Sequence, residues 1–145
     1  LTALAVKNIE DVFDIVMLDS NFISQDDSVA TYARKLSKAE SYITWDEDAE
    51  IIISKVKAFA GWPGVEAEIF GVRFKIIKAK YYKDVSPQSN GKVLNFSHDQ
   101  FEVKATNGVI QIDKLQLPGK NIITCRDFYN SNSVFSMKIK NDSVK

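Results

Sequence analysis

Apolar side chains recur at helical spacing through most of the first 60 residues, and from Val65 onward they alternate with polar ones. Ala5, Ile9, Val12, Phe13, Val16 and Met17 fall on one helical face, with Glu10, Asp11 and Asp14 largely opposite. "LDSNFISQDDSV" breaks that pattern with turn formers and charges and reads as a linker. "VATYARKLSKAES" fits either a short helix through Val29, Tyr32, Ala33 and Leu36 or a linker lying on a neighbouring surface. The best-signalled helix follows. Thr44-Trp45-Asp46-Glu47 has the form of a capping box, and Ala49, Ile52, Ile53, Val56 and Phe59 make its buried stripe. Acids gather at its start and Lys55 and Lys57 at its end, as the helix dipole favours.

Gly61, Pro63 and Gly64 end that helix, and the period then changes to two. Val65–Phe70 reads as a strand turning at Gly71. "RFKIIKAKYY" reads as a second strand whose alternation slips at Ile76-Ile77, where a bulge keeps Phe74, Ile76, Ile77, Ala79 and Tyr81 on the core side. After the loop "KDVSPQSNG" come "KVLNF", "FEVKA" and "VIQIDKLQL", the last two joined by "TNG", a tight turn with Asn-Gly supplying positive φ. Five short strands, a bulge and one capped helix predict a mainly β fold with helices, a small OB-like barrel, closed or nearly so. Trp62, beside two chain breakers, is expected to plug the seam between helix and barrel. Thr124-Cys125-Arg126-Asp127 predicts a short capped helix, and alternation of Phe135, Met137 and Ile139 with polar neighbours predicts a further edge strand.

A chain of 145 residues, 45% hydrophobic and 26% charged, suits one soluble globular domain with a short appendage. No apolar run approaches a membrane span, and the early charges argue against a signal peptide. The single cysteine, Cys125, fits a reducing compartment. The chain opens at Leu1 without a methionine, which suggests a piece of something longer. Its zero net charge conceals a division: residues 1–50 hold 4 bases against 11 acids, and residues 51–145 hold 15 against 8. The second part is therefore able to attract a polyanion.

Candidate chemistry is sparse. His98 is the only histidine and sits between strand runs; Cys125 has no histidine near it in sequence; no spacing suggests a metal site; and "LPGK" lacks the pattern of a phosphate loop. No catalytic, cofactor-binding or metal-binding residue is expected. Binding is better supported. Arg73, Lys75, Lys78, Lys80 and Lys83 cluster on one strand with Tyr81 and Tyr82 among them, a pattern that can track a phosphate backbone or simply face water.

Several of these segments, in order, resemble the C-terminal part of the methionyl-tRNA formyltransferase family. They are "SQDDSVATYARKLSKAESYITWDEDAE", "KVKAFAGWPGVEAEIFGVRFKIIKAK", "GKVL" and "TNGVIQIDKLQLPGKNIITCRDFYNS", within roughly Asn21 to Ser131. The resemblance implies an enzyme that moves a formyl group from 10-formyltetrahydrofolate to the methionine amino group of initiator methionyl-tRNA. It implies that residues 1–20 end a catalytic domain otherwise missing here, that 21–43 are an interdomain linker, and that 44–145 are an OB-like tRNA-binding domain. On that reading the chain alone is inactive, holds no cofactor, needs no metal or membrane, and works in the cytoplasm. Its partners are initiator tRNA and the missing catalytic domain; the first helix, its apolar stripe parted from that domain, is expected to pack on the barrel, to self-associate with a second copy or to be disordered. By position the resemblance points to Lys35, Lys57, Lys75 and Lys120 as tRNA contacts; Arg73 and Lys78 join them from the basic strand. Lys57 stands where the family usually has arginine, which weakens a bidentate contact there. Ala60-Gly61 replaces the usual Asn-Pro before Trp62. Two other readings stay open: the accessory domain of another formyltransferase, and a stand-alone OB-type module for nucleic acid or protein.

Overall fold

The computed structural model describes residues 2–18, 24–131 and 133–142. Two compact units divide the chain, Leu1–Lys35 and Leu36–Lys145. In the first, α1 (Thr2–Met17) carries the expected amphipathic stripe, but none of its residues is buried. Ile9, Val12, Phe13, Val16 and Met17 of that stripe are all exposed. A 3-10 turn at Asp27–Val29 is capped by Asp26, whose carboxylate accepts from the Ser28 amide at 2.9 Å. Residues 30–37 form no helix, and the ambiguous stretch is helical only in a second 3-10 turn, Lys38–Ser41, at the start of the larger unit.

That unit is an antiparallel sheet with helices. Its strands are β1 (Val65–Ile69), β2 (Val72–Lys83), β3 (Val93–Phe96), β4 (Phe101–Ala105), β5 (Gly108–Gln116) and β6 (Ile122–Thr124). The path runs β1-β2-β5-β4-β3, with β6 also paired to β5, so there is one strand more than expected. Among the described residues no ladder joins β1 to β3. The expected barrel is therefore an open six-stranded sheet.

The slip in β2 is confirmed, and it is matched on the partner. Ile76 pairs with Leu115 and Ala79 with Ile112, with an irregularity between them on both strands. Each strand gains one residue there, so both alternations flip and the ladder resumes in register. Phe74, Ile76, Ile110, Ile112 and Leu115 are consequently all buried on one face. That face is covered by α2 (Ala49–Ala58), through Ala49, Ile52, Ile53 and Val56, and by an aromatic cluster. Phe74, Phe101, Phe128 and Phe135 meet with ring centroids 5.4–6.2 Å apart.

Several sequence expectations are corrected here. Thr44 does not cap α2. Its amide donates to the Glu47 carboxylate at 3.0 Å within a turn that ends before the helix, and the α2 N-cap is Asp48, without a side-chain bond. The cap arrives from the β4–β5 hairpin instead: the Ala49 amide donates to Asn107 Oδ1 at 3.0 Å. Neither Asn107 nor Gly108 has a positive φ. Glycine is needed at 108 for close approach, because a Cβ there would lie 2.6 Å from the Tyr82 carbonyl oxygen and 3.0 Å from Ala49 Cβ. The left-handed hairpin turn is Phe70-Gly71, at φ 52° and 75°.

The capped short helix is α3 (Cys125–Asn130), with Thr124 and Asp127 forming a reciprocal box. The expected edge strand at its end is a helix, α4 (Val134–Asp142). Ser133 Oγ accepts the Ser136 amide at 3.1 Å, and Phe135, Ser136 and Ile139 are buried while Met137 is half exposed. Positions 135 and 139 satisfy a period of two and one helical turn equally, and the aromatic cluster decides between them. Trp62 is no plug: it is 61% exposed. The buried indole is Trp45, 9% exposed, whose Nε1 donates to the Glu68 carbonyl at 2.8 Å.

Candidate nucleic-acid interface

Opposite the aromatic core, β2 presents a row of cations. The flip at Ile77 matters here, because strict alternation would have turned Lys78 and Lys80 to the other side from Arg73 and Lys75. With one extra residue, Arg73, Lys75, Lys78, Lys80 and Tyr82 all share the outer face. Register then brings in a lysine that sequence reasoning missed: Lys114 stands directly opposite Lys78. Like charges facing across a ladder destabilise it, and neither ammonium has a carboxylate partner among the described residues. Lys114 is not legible from spacing alone, since its place depends on the paired irregularity.

Neighbouring cations are held more firmly. Arg73 bonds Glu68 through Nε at 3.2 Å and lies 5.7 Å from the centre of the Tyr42 ring. Lys75 faces Glu66 in the β1–β2 ladder and Gln116 in the β2–β5 ladder. Its ammonium donates to the Pro63 carbonyl at 2.8 Å, and its stem crosses Gly64, where a Cβ would meet Lys75 Cδ at 3.2 Å. Beside this pair opens a cleft of about 430 Å³, lined by Glu66, Arg73, Lys75, Gln116 and the Leu117-Pro118-Gly119 turn. Lys120 closes that turn: its amide donates to the Leu117 carbonyl at 3.0 Å, while its own carbonyl accepts from Gln116 Nε2 at 2.9 Å. Arg73 and Lys75 line this cleft, Lys120 ends the turn that borders it, and Lys78 lies further along β2. Lys57 is exposed on α2, and Lys35 ends the other compact unit.

The outer face has a second half with a different character. On β4, Glu102 and Lys104 occupy outward positions yet are buried. The loop after β2 covers Lys104, whose Nζ donates to the Asp84 carbonyl and stands 3.4 Å from the Asp84 carboxylate. Hydrogen bonds from the Ser86 hydroxyl and amide, with a lesser contribution from Lys104, hold the Asp84 carboxyl below the ordinary range. Desolvation followed by the nearby Glu102 carboxylate pushes the Tyr82 hydroxyl up. Tyr81 points the other way and donates to Glu50 on α2.

Remaining chemistry is muted. Cys125 is buried, and desolvation with Asp113 and Asp99 nearby pushes its thiol up to about 11, away from a reactive thiolate. The His98 ring lies 4.4 Å from that of Tyr129. Among the described residues no three His, Cys, Asp or Glu side chains converge as a metal requires, and no helix is long and apolar enough to cross a membrane.

Comparison with known proteins places these features in a family. The model of the formyl transferase C-terminal domain matches residues 35–133. Methionyl-tRNA formyltransferase of Hahella chejuensis is 40% identical over 106 residues, covering 73% of this chain and 33% of that protein. The Legionella pneumophila protein of the same name is 32% identical over 132 residues, covering 90% of this chain and 42% of its own length. The chain thus spans about a third to two fifths of the length of these relatives. Among solved structures, HypX of Aquifex aeolicus in complex with tetrahydrofolic acid aligns with a TM-score of 0.62 over 84% of this chain and 22% of that one, at 16% identity, which establishes a shared fold. With its helix-to-sheet turn, basic strand and Pro-Gly-Lys turn all inside the matched residues, the chain belongs to the formyl transferase C-terminal domain family.

Proposed function

We propose that this chain is the tRNA-holding, C-terminal portion of a methionyl-tRNA formyltransferase, and that the open half of its outer sheet face tracks the phosphate backbone of initiator tRNA. The observation that carries this reading is the convergence of Arg73, Lys75, Lys78, Lys80 and Lys114 on one face. A mutually repelling lysine pair is unfavourable in the free protein, and a phosphate oxygen between the two ammonium groups relieves it. The whole enzyme would pass a formyl group from 10-formyltetrahydrofolate to the methionine amino group in the cytoplasm. Residues 1–20 would close its catalytic domain, residues 21–43 would join the domains, and residues 44–145 would grip the nucleic acid. The chain by itself would transfer no formyl group. The uncovered stripe of α1 supports a covering partner, either that catalytic domain or a second copy.

Binding of labelled initiator tRNA across a salt series, with elongator tRNA as control, tests the reading. Four neutralised phosphates give a log–log salt slope of about −4. A slope near zero, or no binding to either tRNA at low salt, would remove the phosphate-tracking role. A shared basic face also favours tRNA contact over a purely architectural role in another formyltransferase. The inward, hydrogen-bonded Tyr81 weighs against an independent single-strand-binding module with both tyrosines as platforms.

A further inference from the structure

Trp62 is the largest exposed side chain that the fold leaves unexplained. Trp45 shows what a structural indole looks like in this molecule: buried, hydrogen-bonded through Nε1, and packed against Gly91. Trp62 has none of these supports. It is 61% exposed, and among the described residues it makes no hydrogen bond and no ring contact. The turn beneath it is nevertheless firmly built. Gly61 and Gly64 adopt φ of 90° and 79°, the Gly64 amide donates to the Phe59 carbonyl at 3.0 Å, and Pro63 is buried. A rigid turn holding a free indole in water has the form of a platform.

Its surroundings point to what it would hold. The Lys75 ammonium is anchored to the carbonyl of Pro63, the residue next to Trp62. A second cleft, about 210 Å³, is lined by Gly61, Pro63, Gly64, Lys75 and Gln116, and it shares Lys75 and Gln116 with the larger cleft on the basic face. Lys75 thus borders both clefts, and the second is lined by the residues on either side of Trp62 in the turn. A lysine held beside an exposed aromatic ring is a combination that receives unpaired nucleotides, phosphate on the cation and base on the ring.

We propose that Trp62 is a stacking platform for an unpaired nucleotide of the bound RNA, its base on the indole and its phosphate against Lys75. The proposal rests on the phosphate-tracking reading and adds a contact that double-stranded RNA cannot make. It is tested on the whole chain with three probes: initiator tRNA, a single-stranded RNA oligonucleotide and a blunt RNA duplex. Trp62→Ala weakens binding of the first two by roughly five- to a hundredfold, the range of one lost base stack, and leaves the duplex unchanged. Trp62→Phe keeps most of the affinity. Single-stranded RNA shields the exposed indole from acrylamide, while buried Trp45 is quenched little in either state. The proposal is overturned if Trp62→Ala binds every probe as the parent chain does, or loses duplex and single strand equally. Lys78→Glu with Lys114→Glu separates the two readings. If that pair of changes removes salt-sensitive binding while Trp62→Ala does not, stacking fails and phosphate tracking stands. If it leaves all three probes bound as before, phosphate tracking fails and the platform fails with it.

Discussion

Lys104 on β4 and Lys78 on β2 stand on the same face of the sheet, each with apolar neighbours in sequence. Lys104 is 3% exposed, hydrogen-bonded to Asp84 and roofed by the loop after β2. Lys78 lies open, faces another lysine and has no carboxylate partner among the described residues. In "FEVKA" and "RFKIIKAKYY" the two lysines look alike. What separates them is cover. A roof makes a lysine a structural donor with its bonds satisfied internally, and an open face makes it a charge that an outside anion can satisfy.

That contrast can be broken or sharpened experimentally. Lys104→Ala leaves the Asp84 carbonyl under the loop without its donor and should cost about 2 kcal/mol of unfolding free energy, whereas Lys78→Ala should stay within about 0.5 kcal/mol; urea titration of both variants reads the difference. Comparable losses would mean that cover is not what distinguishes them. Reversing Lys78 and Lys114 together should reduce the tRNA salt slope by about 1, the one phosphate that the pair shares, without lowering the urea midpoint. Lys78→Glu alone should turn a repelling cross-strand pair into an attracting one, a gain of a few tenths of a kcal/mol in stability accompanied by weaker tRNA binding.

The smallest effect concerns pH. Asp84 is held below its ordinary value, so its contribution to stability is present above the unfolded carboxylate range near pH 4 and lost as pH falls through the lowered folded value. Asp84→Asn should therefore flatten the acid limb of a urea-midpoint profile between pH 6 and 2. An unchanged profile would detach Asp84 from the roof over Lys104.

Local signals were the legible ones. The stripe of α2, the slip at Ile76-Ile77 and the Thr124 cap each depend on residues close in sequence, and each is found. Failures came where distant residues decide. The α2 cap belongs to Asn107; the helical state of Phe135–Ile139 is set by contact with Phe74 and Phe128; and the buried indole is Trp45, which finds the Glu68 carbonyl, instead of Trp62. Strand β6 is three residues long and exists only as an extension of the row beside β5. At the candidate site, Arg73, Lys75, Lys78 and Lys120 could be picked out individually. Lys114 required the register, and Lys104 required the roof.

The bond from Ala49 to Asn107 spans 58 positions. A helix of ten residues is too short to persist alone in water, and α2 borrows its terminal acceptor from a hairpin made much later in the chain. During synthesis, which proceeds from the N-terminus, α2 leaves the ribosome well before residues 105–108 exist to finish it. The helix therefore waits. Closure of the β4–β5 hairpin is what brings that acceptor to the helix, so finishing α2 carries the entropy cost of a long-range encounter.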